Sequence, residues 1–249
     1  MTNQTFDCAV VGGGALGLAT ALELARRGRK VAVIDRLGSG HPATSSTGAS
    51  RSIRIAYDQP LYVRLAQEAI RSWRKLEAET GRTILHLTGQ IDLGPQKKMQ
   101  SIADTVRDVG GAIRDCDAAE LRRRFPELAP RPGEIGLFHA EGGTVMAEQG
   151  LLALAEAATR KGVAILAPER VTAIDPGSHP VTIVTEKRRL HAARVVLSAG
   201  PWSGALLESL GIHVPLAPAV AQVTFLDAPG QVDRPRIAER ETFATGGVY

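Results

Sequence analysis

A glycine-rich turn between an apolar strand and a helix constrains the fold of this chain more than any other feature. The stretch VVGGGALGLATALELARRGRKVAVID, residues 10–35, fits G-x-G-x-x-G at Gly12, Gly14 and Gly17. In this pattern the first glycine makes the tight turn, the second lets a pyrophosphate approach, and the third packs the helix on the sheet. The helix N-terminus then offers free N–H groups to the phosphates. The pattern predicts a βαβ unit that binds a dinucleotide.

The residues after the turn bear on which dinucleotide is bound. Asp35 ends the second strand 18 residues after Gly17, where a carboxylate can accept ribose hydroxyls, which argues against the 2′-phosphate of NADP. A segment of Gly, Ser, Thr and Ala follows at 36–50, where an NAD-binding half would continue into a crossover helix. We expect FAD. An NAD-dependent dehydrogenase, or a glycine-rich turn that binds no ligand, is the alternative.

The alternation of strands and helices breaks off in the middle of the chain and then resumes. Residues 59–80 predict a long helix whose apolar face carries Tyr62, Leu65, Ala66, Ala69, Trp73 and Leu76, and the Pro- and Gly-rich residues 130–143 predict a connection. We therefore predict an α/β fold in which a Rossmann-like nucleotide-binding domain, residues 1–57 and 142–213, contains an inserted α+β substrate domain, residues 58–141 and 214–249.

Composition and charge exclude several classes of function. The chain carries a net charge of +4, but its basic residues form short runs without interleaved aromatic residues, which indicates solvated faces and no nucleic-acid partner. Two cysteines and six scattered histidines predict neither disulfide nor metal site. The sequence lacks a leader pattern and an apolar run of about 20 residues, so we predict a cytoplasmic protein without a membrane partner.

Five stretches in order identify a family. TSSTGASRSIRIAYD (44–58), WRKLEAETG (73–81), LTGQIDLG (87–94), GGTVMAEQGLLALAEAATRKGV (142–163) and VVLSAGPWSGALL (195–207) accompany the glycine turn. Together they resemble the amine-oxidising flavoproteins of the D-amino-acid oxidase superfamily, in particular its sarcosine oxidase and N-methyl-amino-acid oxidase branch. The resemblance covers essentially the whole chain.

The resemblance implies FAD as the cofactor and assigns residues to it. Arg51 would lie against the flavin ring, and Arg54 would offer a bidentate fork to a substrate carboxylate; two solvated surface arginines are the alternative interpretation. The implied FAD-binding residues are Gly12, Gly14, Ala15, Leu16, Gly17, Asp35, Arg36, Ser45, Ser46, Thr47, Arg51, Val171, Ala199 and Gly200. The implied catalytic residues are Arg51 and Arg54.

The implied chemistry is oxidation of the C–N bond of a secondary amine or N-methyl amino acid to an imine, while O2 is reduced to hydrogen peroxide. Members of the resembling family continue well beyond the length of this chain. We therefore expect a C-terminally truncated homologue, with a second chain as a partner that would supply the rest. The alternative is a non-catalytic FAD-binding subunit.

Overall fold

The structure, a computed structural model, describes residues 4–38, 40–126, 128–220 and 235–239. The chain divides into two compact units, and each is described by itself. The first comprises residues 1–49, 76–82 and 147–219, and the second comprises residues 50–75, 83–146 and 220–249.

Strands and helices alternate through much of the described chain. The strands are β1 (Gln4–Val11), β2 (Val31–Ile34), β3 (Ser50–Ile53), β4 (Leu85–His86), β5 (Gln90–Pro95), β6 (Arg114–Cys116), β7 (Glu134–His139), β8 (Gly143–Met146), β9 (Ala164–Leu166), β10 (Val171–Asp175), β11 (Val181–Thr185), β12 (Arg189–Leu197) and β13 (Arg236–Glu239). The helices are α1 (Ala15–Arg26), α2 (Pro60–Thr80), α3 (Gln96–Asp108), α4 (Ala118–Arg124), α5 (Ala147–Arg160) and α6 (Ser203–Glu208), and a 3-10 turn spans Gly200–Trp202.

The first unit is built on a six-stranded sheet with the order β10-β11-β12-β1-β2-β9. Strand β1 pairs in parallel with β12 and β2, so the carboxyl ends of all three strands meet at one edge. Val10 and Val33 are fully buried in β1 and β2, and α1 buries Leu18 and Ala21. Strands of a parallel sheet consist mainly of buried apolar residues when helices cover both faces of the sheet. The predicted βαβ unit is present.

The second unit contains two sheets. The larger has the order β13-β5-β7-β6, and a smaller one has the order β3-β8-β4. On the larger sheet, Ile91, Leu93 and Cys116 pack with Leu121 and Phe125 from α4 and the residue after it. Asp117 is the N-cap of α4, and its Oδ1 accepts a hydrogen bond from Glu120 N at 2.7 Å, which fixes where the helix begins.

Two local predictions in this unit are wrong. Residues 130–143 are not a plain connection: they contain β7, which pairs with both β5 and β6. The apolar face predicted for α2 is also wrong in its first half, since Val63 and Ile70 are buried while Tyr62 and Leu65 are 49% and 55% exposed. Leu76, near the end of the helix, is buried as predicted.

The two units depart from the predicted domain ranges at several boundaries. Residues 50–57, assigned above to the nucleotide-binding domain, fall in the second unit because β3 pairs with β8. Strand β8 takes residues 143–146 into the same unit. Residues 76–82 fall in the first unit, where the Glu79 carboxylate pairs with Arg26. Of the predicted segment 214–249, residues 221–234 and 240–249 lie outside the described residues.

Both cysteines are free and buried. Cys8 in β1 is 6% exposed and Cys116 in β6 is 1% exposed, and burial raises the pKa of each thiol. The thiol form is therefore favoured in the folded chain. The stability gained from this is present below the unfolded pKa and is lost as pH rises through the higher folded pKa.

We expect native thiols to react with a disulfide reagent at least about a hundredfold more slowly at neutral pH than thiols of the unfolded chain. Cys8→Ser and Cys116→Ser chains, each with one remaining thiol, report the two sites separately. Fast reaction of either thiol in the native chain would contradict the described burial.

Within the described residues, no helix combines the length and the apolar character that crossing a bilayer requires.

Candidate functional site

A cavity of about 540 Å³ lies in the first unit, at the edge where the carboxyl ends of β1, β2 and β12 meet. Ligands of open α/β sheets bind at such an edge, and the volume falls in the usual range for small-molecule sites. Most of the residues predicted to bind the cofactor line it. They are Gly12, Gly14, Ala15, Leu16, Asp35, Arg36, Ser45, Ser46, Val171, Ala199 and Gly200.

The glycine turn at the base of the cavity has no room for side chains at two positions. Gly12 has a φ of +111°, and a Cβ there would overlap the carbonyl oxygen of Ser198. A Cβ at Gly17 would overlap the carbonyl oxygen of Gly12 and would stand 2.7 Å from Ser198 Oγ. At Gly14 an added Cβ would meet the Ser46 hydroxyl at 3.0 Å. Gly12 and Gly17 thus allow the turn to close, and Gly14 keeps the cavity side of the turn open.

The N-terminus of α1 faces the same cavity. Gly14 is the N-cap and makes no side-chain cap, so the first N–H groups of α1 have no partner within the helix. One of them, Ala15 N, donates to Ser46 Oγ at 3.0 Å. This places a hydroxyl oxygen where a helix N-terminus would otherwise hold an anionic oxygen.

The Asp35 carboxylate is engaged with the backbone on both of its oxygens. Oδ2 accepts from Gly13 N at 2.6 Å, and Oδ1 accepts from Leu37 N at 2.9 Å and Gly38 N at 2.6 Å. An ionised carboxylate offers about four acceptor positions. Within the described residues, one position on Oδ2 therefore remains for a further donor, and the other contacts hold the glycine turn against the loop after β2.

We expect Asp35→Asn to destabilise the chain by about 2 kcal/mol, because its NH2 group would face backbone N–H donors that now have an acceptor. Urea denaturation measures this change. Asp175→Asn is the matched control: Asp175 Oδ1 accepts from Gly177 N at 3.0 Å in an exposed turn, so its loss should cost less than about 1 kcal/mol. Equal destabilisation by both substitutions would show that the Asp35 contacts do not hold the turn.

The opposite wall follows the carboxyl end of β12. Ser198 N donates to Val11 O at 2.8 Å, which joins this wall to the strand that precedes the glycine turn. The chain then passes through Ala199 and the 3-10 turn to Trp202, whose ring lies 5.6 Å from the Arg36 guanidinium carbon. The cavity therefore has an aromatic face with a cation stacked on it.

The remaining predicted site residues do not line the cavity. Gly17 packs beneath the turn, and Thr47 Oγ1 donates to Gly40 O at 3.1 Å. Arg51 and Arg54 belong to the second unit. Arg51 is exposed, and its Nη1 donates to Ser50 O at 2.8 Å.

Arg54 is partly buried, and its guanidinium carbon lies 4.9 Å from the centre of the Tyr57 ring. Its Nε is buried without a hydrogen-bond partner in the described part of the chain. An unpaired buried N–H costs stability. The two arginines thus differ: Arg51 is exposed, while Arg54 lies beside an aromatic ring, and its Nε has no partner among the described residues.

Several residues that line the cavity were not predicted from the sequence. They are Leu37 and Thr44 in the loop after β2, Glu169 and Arg170 after β9, Thr172 in β10, and Ser198, Trp202 and Leu206 after β12. For all of them except Thr172, the position after β2, β9 or β12 is the signal that could have found them, because these strands end at the edge that carries the cavity. Within the described ranges, no cluster of three or more His, Cys, Asp or Glu side chains could hold a metal ion.

Comparison with known proteins adds an independent line of observation. Residues 7–249 match the profile of a family described as FAD dependent oxidoreductase. The chain is 33% identical over 220 residues to a peroxisomal sarcosine oxidase of Mus musculus, covering 87% of this chain and 56% of the relative. It is 32% identical over 211 residues to an N-methyl-L-tryptophan oxidase of Salmonella arizonae, covering 84% of this chain and 57% of the relative.

Among solved structures, the chain is similar to the open form of NikD, an amino acid oxidase of nikkomycin biosynthesis. The TM-score is 0.73 at 31% identity, and the match covers 84% of this chain and 55% of NikD. The chain therefore spans little more than half the length of the proteins it matches.

Proposed function

Since this chain belongs to the family of FAD-dependent oxidoreductases, we propose that its cavity holds the adenosine and pyrophosphate part of FAD and that the protein oxidises the C–N bond of a carboxylate-bearing secondary amine. The observation that carries this proposal is a cavity lined by the glycine turn, the α1 N-terminus and Asp35. The relatives named sarcosine oxidase and N-methyl-L-tryptophan oxidase support the substrate class.

The residues of the cavity fit FAD in charge and shape. The N–H groups at the start of α1, with Ser46, would bind the pyrophosphate, and the glycine turn leaves room for its close approach. The acceptor position on Asp35 Oδ2 that no described residue occupies would take one ribose hydroxyl. The Val171 backbone, at the start of β10, would meet the adenine. When bound, FAD accepts the two electrons and the hydrogen released from the C–N bond.

Arg54 would bind the substrate carboxylate. Its buried Nε has no partner in the described part of the chain, and a carboxylate would satisfy it through a charge-assisted bond. Tyr57 holds the plane of the guanidinium, which reduces the freedom lost on binding. Arg51 would supply positive charge near the flavin. O2, reduced to hydrogen peroxide, would take up the electrons, and water would hydrolyse the imine.

A second candidate is an FAD-binding chain that needs a partner chain for catalysis, and it is favoured by the position of Arg51 and Arg54, neither of which lines the cavity. One experiment separates the candidates. The FAD-loaded chain is mixed with N-methylglycine or N-methyltryptophan without oxygen, and the visible absorbance of oxidised flavin is followed. Bleaching, with peroxide formed once air is admitted, supports the oxidase. FAD binding without bleaching supports the second candidate, and binding of NAD in place of FAD contradicts both.

The cytoplasmic location stays a prediction.

A further inference from the structure

Three polar side chains are buried on one face of the larger sheet of the second unit. Gln90 and Asp92 of β5 have no exposed surface, and His139 of β7 is 1% exposed. Gln90 and His139 are directly opposite each other in the strand pairing, and Asp92 is two residues further along the same face. Buried polar groups are costly unless they are hydrogen-bonded, so the bonds that these three make define what the cluster does.

The direction of each bond follows from the donors and acceptors present. Asp92 accepts from Gln90 Nε2 at 3.0 and 3.1 Å and from His139 Nε2 at 3.1 Å. Both Asp92 oxygens accept from Gln90 Nε2, so the NH2 group of the amide faces Asp92. Gln90 Oε1 is therefore directed away from Asp92, where it accepts from Ser52 Oγ at 3.1 Å.

Ser52 lies on β3, an edge strand that pairs with β8 alone in the described sheet. Arg54 directly follows β3, two residues after Ser52. Its sequence neighbours Ile53 and Ile55 are 8% and 0% exposed and anchor this segment by packing. The bond from Ser52 to Gln90 attaches the end of β3 to β5 two residues before Arg54.

We propose that Ser52 and Gln90 are positioning residues that fix the segment from which Arg54 receives the substrate carboxylate. Asp92 and His139 hold the Gln90 amide in the one orientation that accepts from Ser52. This inference rests on the carboxylate-binding role proposed above for Arg54. Asp92 orients the Gln90 amide, Gln90 binds Ser52, and Ser52 fixes the segment that ends at Arg54.

The test compares Ser52→Val with Ser52→Thr, two side chains of the same shape of which threonine alone keeps the hydroxyl. Butyrate serves as the probe, because it has the skeleton of N-methylglycine without an oxidisable nitrogen. Its affinity for the FAD-loaded chain is measured by calorimetry, and hydrogen exchange of the β3 amides is measured in parallel. We expect Ser52→Val to weaken butyrate about fivefold and to speed β3 exchange about tenfold. Ser52→Thr should stay within about twofold of the parent.

Each other outcome overturns the proposal in an identifiable way. If Ser52→Val and Ser52→Thr give the same butyrate affinity and the same β3 exchange, the Ser52 hydroxyl does not fix the segment. If Ser52→Val speeds exchange while butyrate affinity is unchanged, the hydroxyl fixes the segment but does not position Arg54. If the parent chain binds FAD but no butyrate, the carboxylate role of Arg54 fails, and the positioning role fails with it, while the FAD site stands.

Discussion

A Gly17→Ala chain is expected to lose FAD affinity by at least about a hundredfold, or close to 3 kcal/mol. The added Cβ would overlap the carbonyl oxygen of Gly12 and would approach Ser198 Oγ to 2.7 Å. Gly12 O is main chain in a turn that is already closed on Ser198, so the clash is relieved by moving the turn and the start of α1. Fluorescence titration of the chain with FAD measures the loss.

Two further glycines make this prediction specific. Gly28 has a φ of +74° with no atom within 4 Å of an added Cβ, so Gly28→Ala should cost about 1 kcal/mol of stability and leave FAD affinity unchanged. At Gly14 an added Cβ meets a flexible hydroxyl, so Gly14→Ala should keep its melting temperature and still lose FAD affinity. A Gly17→Ala chain that binds FAD like the parent would refute the assigned geometry of the turn.

Replacing Arg54 with methionine should weaken butyrate binding to the FAD-loaded chain by at least about thirtyfold. Methionine keeps the length of the side chain and its contact with Tyr57, but it removes the planar pair of donors that a carboxylate needs. Stability should change little, because the substitution also removes the buried Nε that has no partner in the described chain. Calorimetric titration gives the affinity, and thermal unfolding checks the fold.

Arg71→Met is the matched control for this substitution. The exposed Arg71 guanidinium bonds Glu68 on the surface of α2 at 2.7 Å, and such pairs contribute little to stability. Butyrate affinity in this chain should equal that of the parent. Arg54→Lys should recover part of the lost affinity, since lysine restores the charge without the fork. Undiminished butyrate affinity in Arg54→Met would remove the carboxylate role from Arg54.

The nucleotide-binding part of the fold could be predicted because local sequence and tertiary structure agree there. A Cβ at Gly12 or Gly17 would overlap a main-chain carbonyl oxygen, and the spacing of these glycines encodes a contact between strand, turn and helix. Strand β7 could not be predicted, since it lies in a Pro- and Gly-rich stretch and its stability comes from pairing with β5 and β6 on both sides. Such pairing depends on residues far away in sequence.

Residues of the candidate site could be predicted where a short sequence pattern marks them, and not where their role depends on contacts between distant parts of the chain. Asp35 was found from its spacing to the glycines, yet its bonds to Gly13, Leu37 and Gly38 depend on the folded loop and were not foreseen. Trp202 was missed because its role depends on β12 lying beside β1 in the sheet. For the same reason sequence alone did not place Gln90 beside Ser52.

Competition for FAD by its two halves tests the central claim most directly. If the cavity of the first unit holds the adenosine and pyrophosphate part of FAD, ADP should displace FAD from the chain, and FMN, which lacks the adenosine, should not. The fluorescence of the released FAD is measured in the ADP titration and in the FMN titration. Displacement by FMN with no effect of ADP would contradict the account.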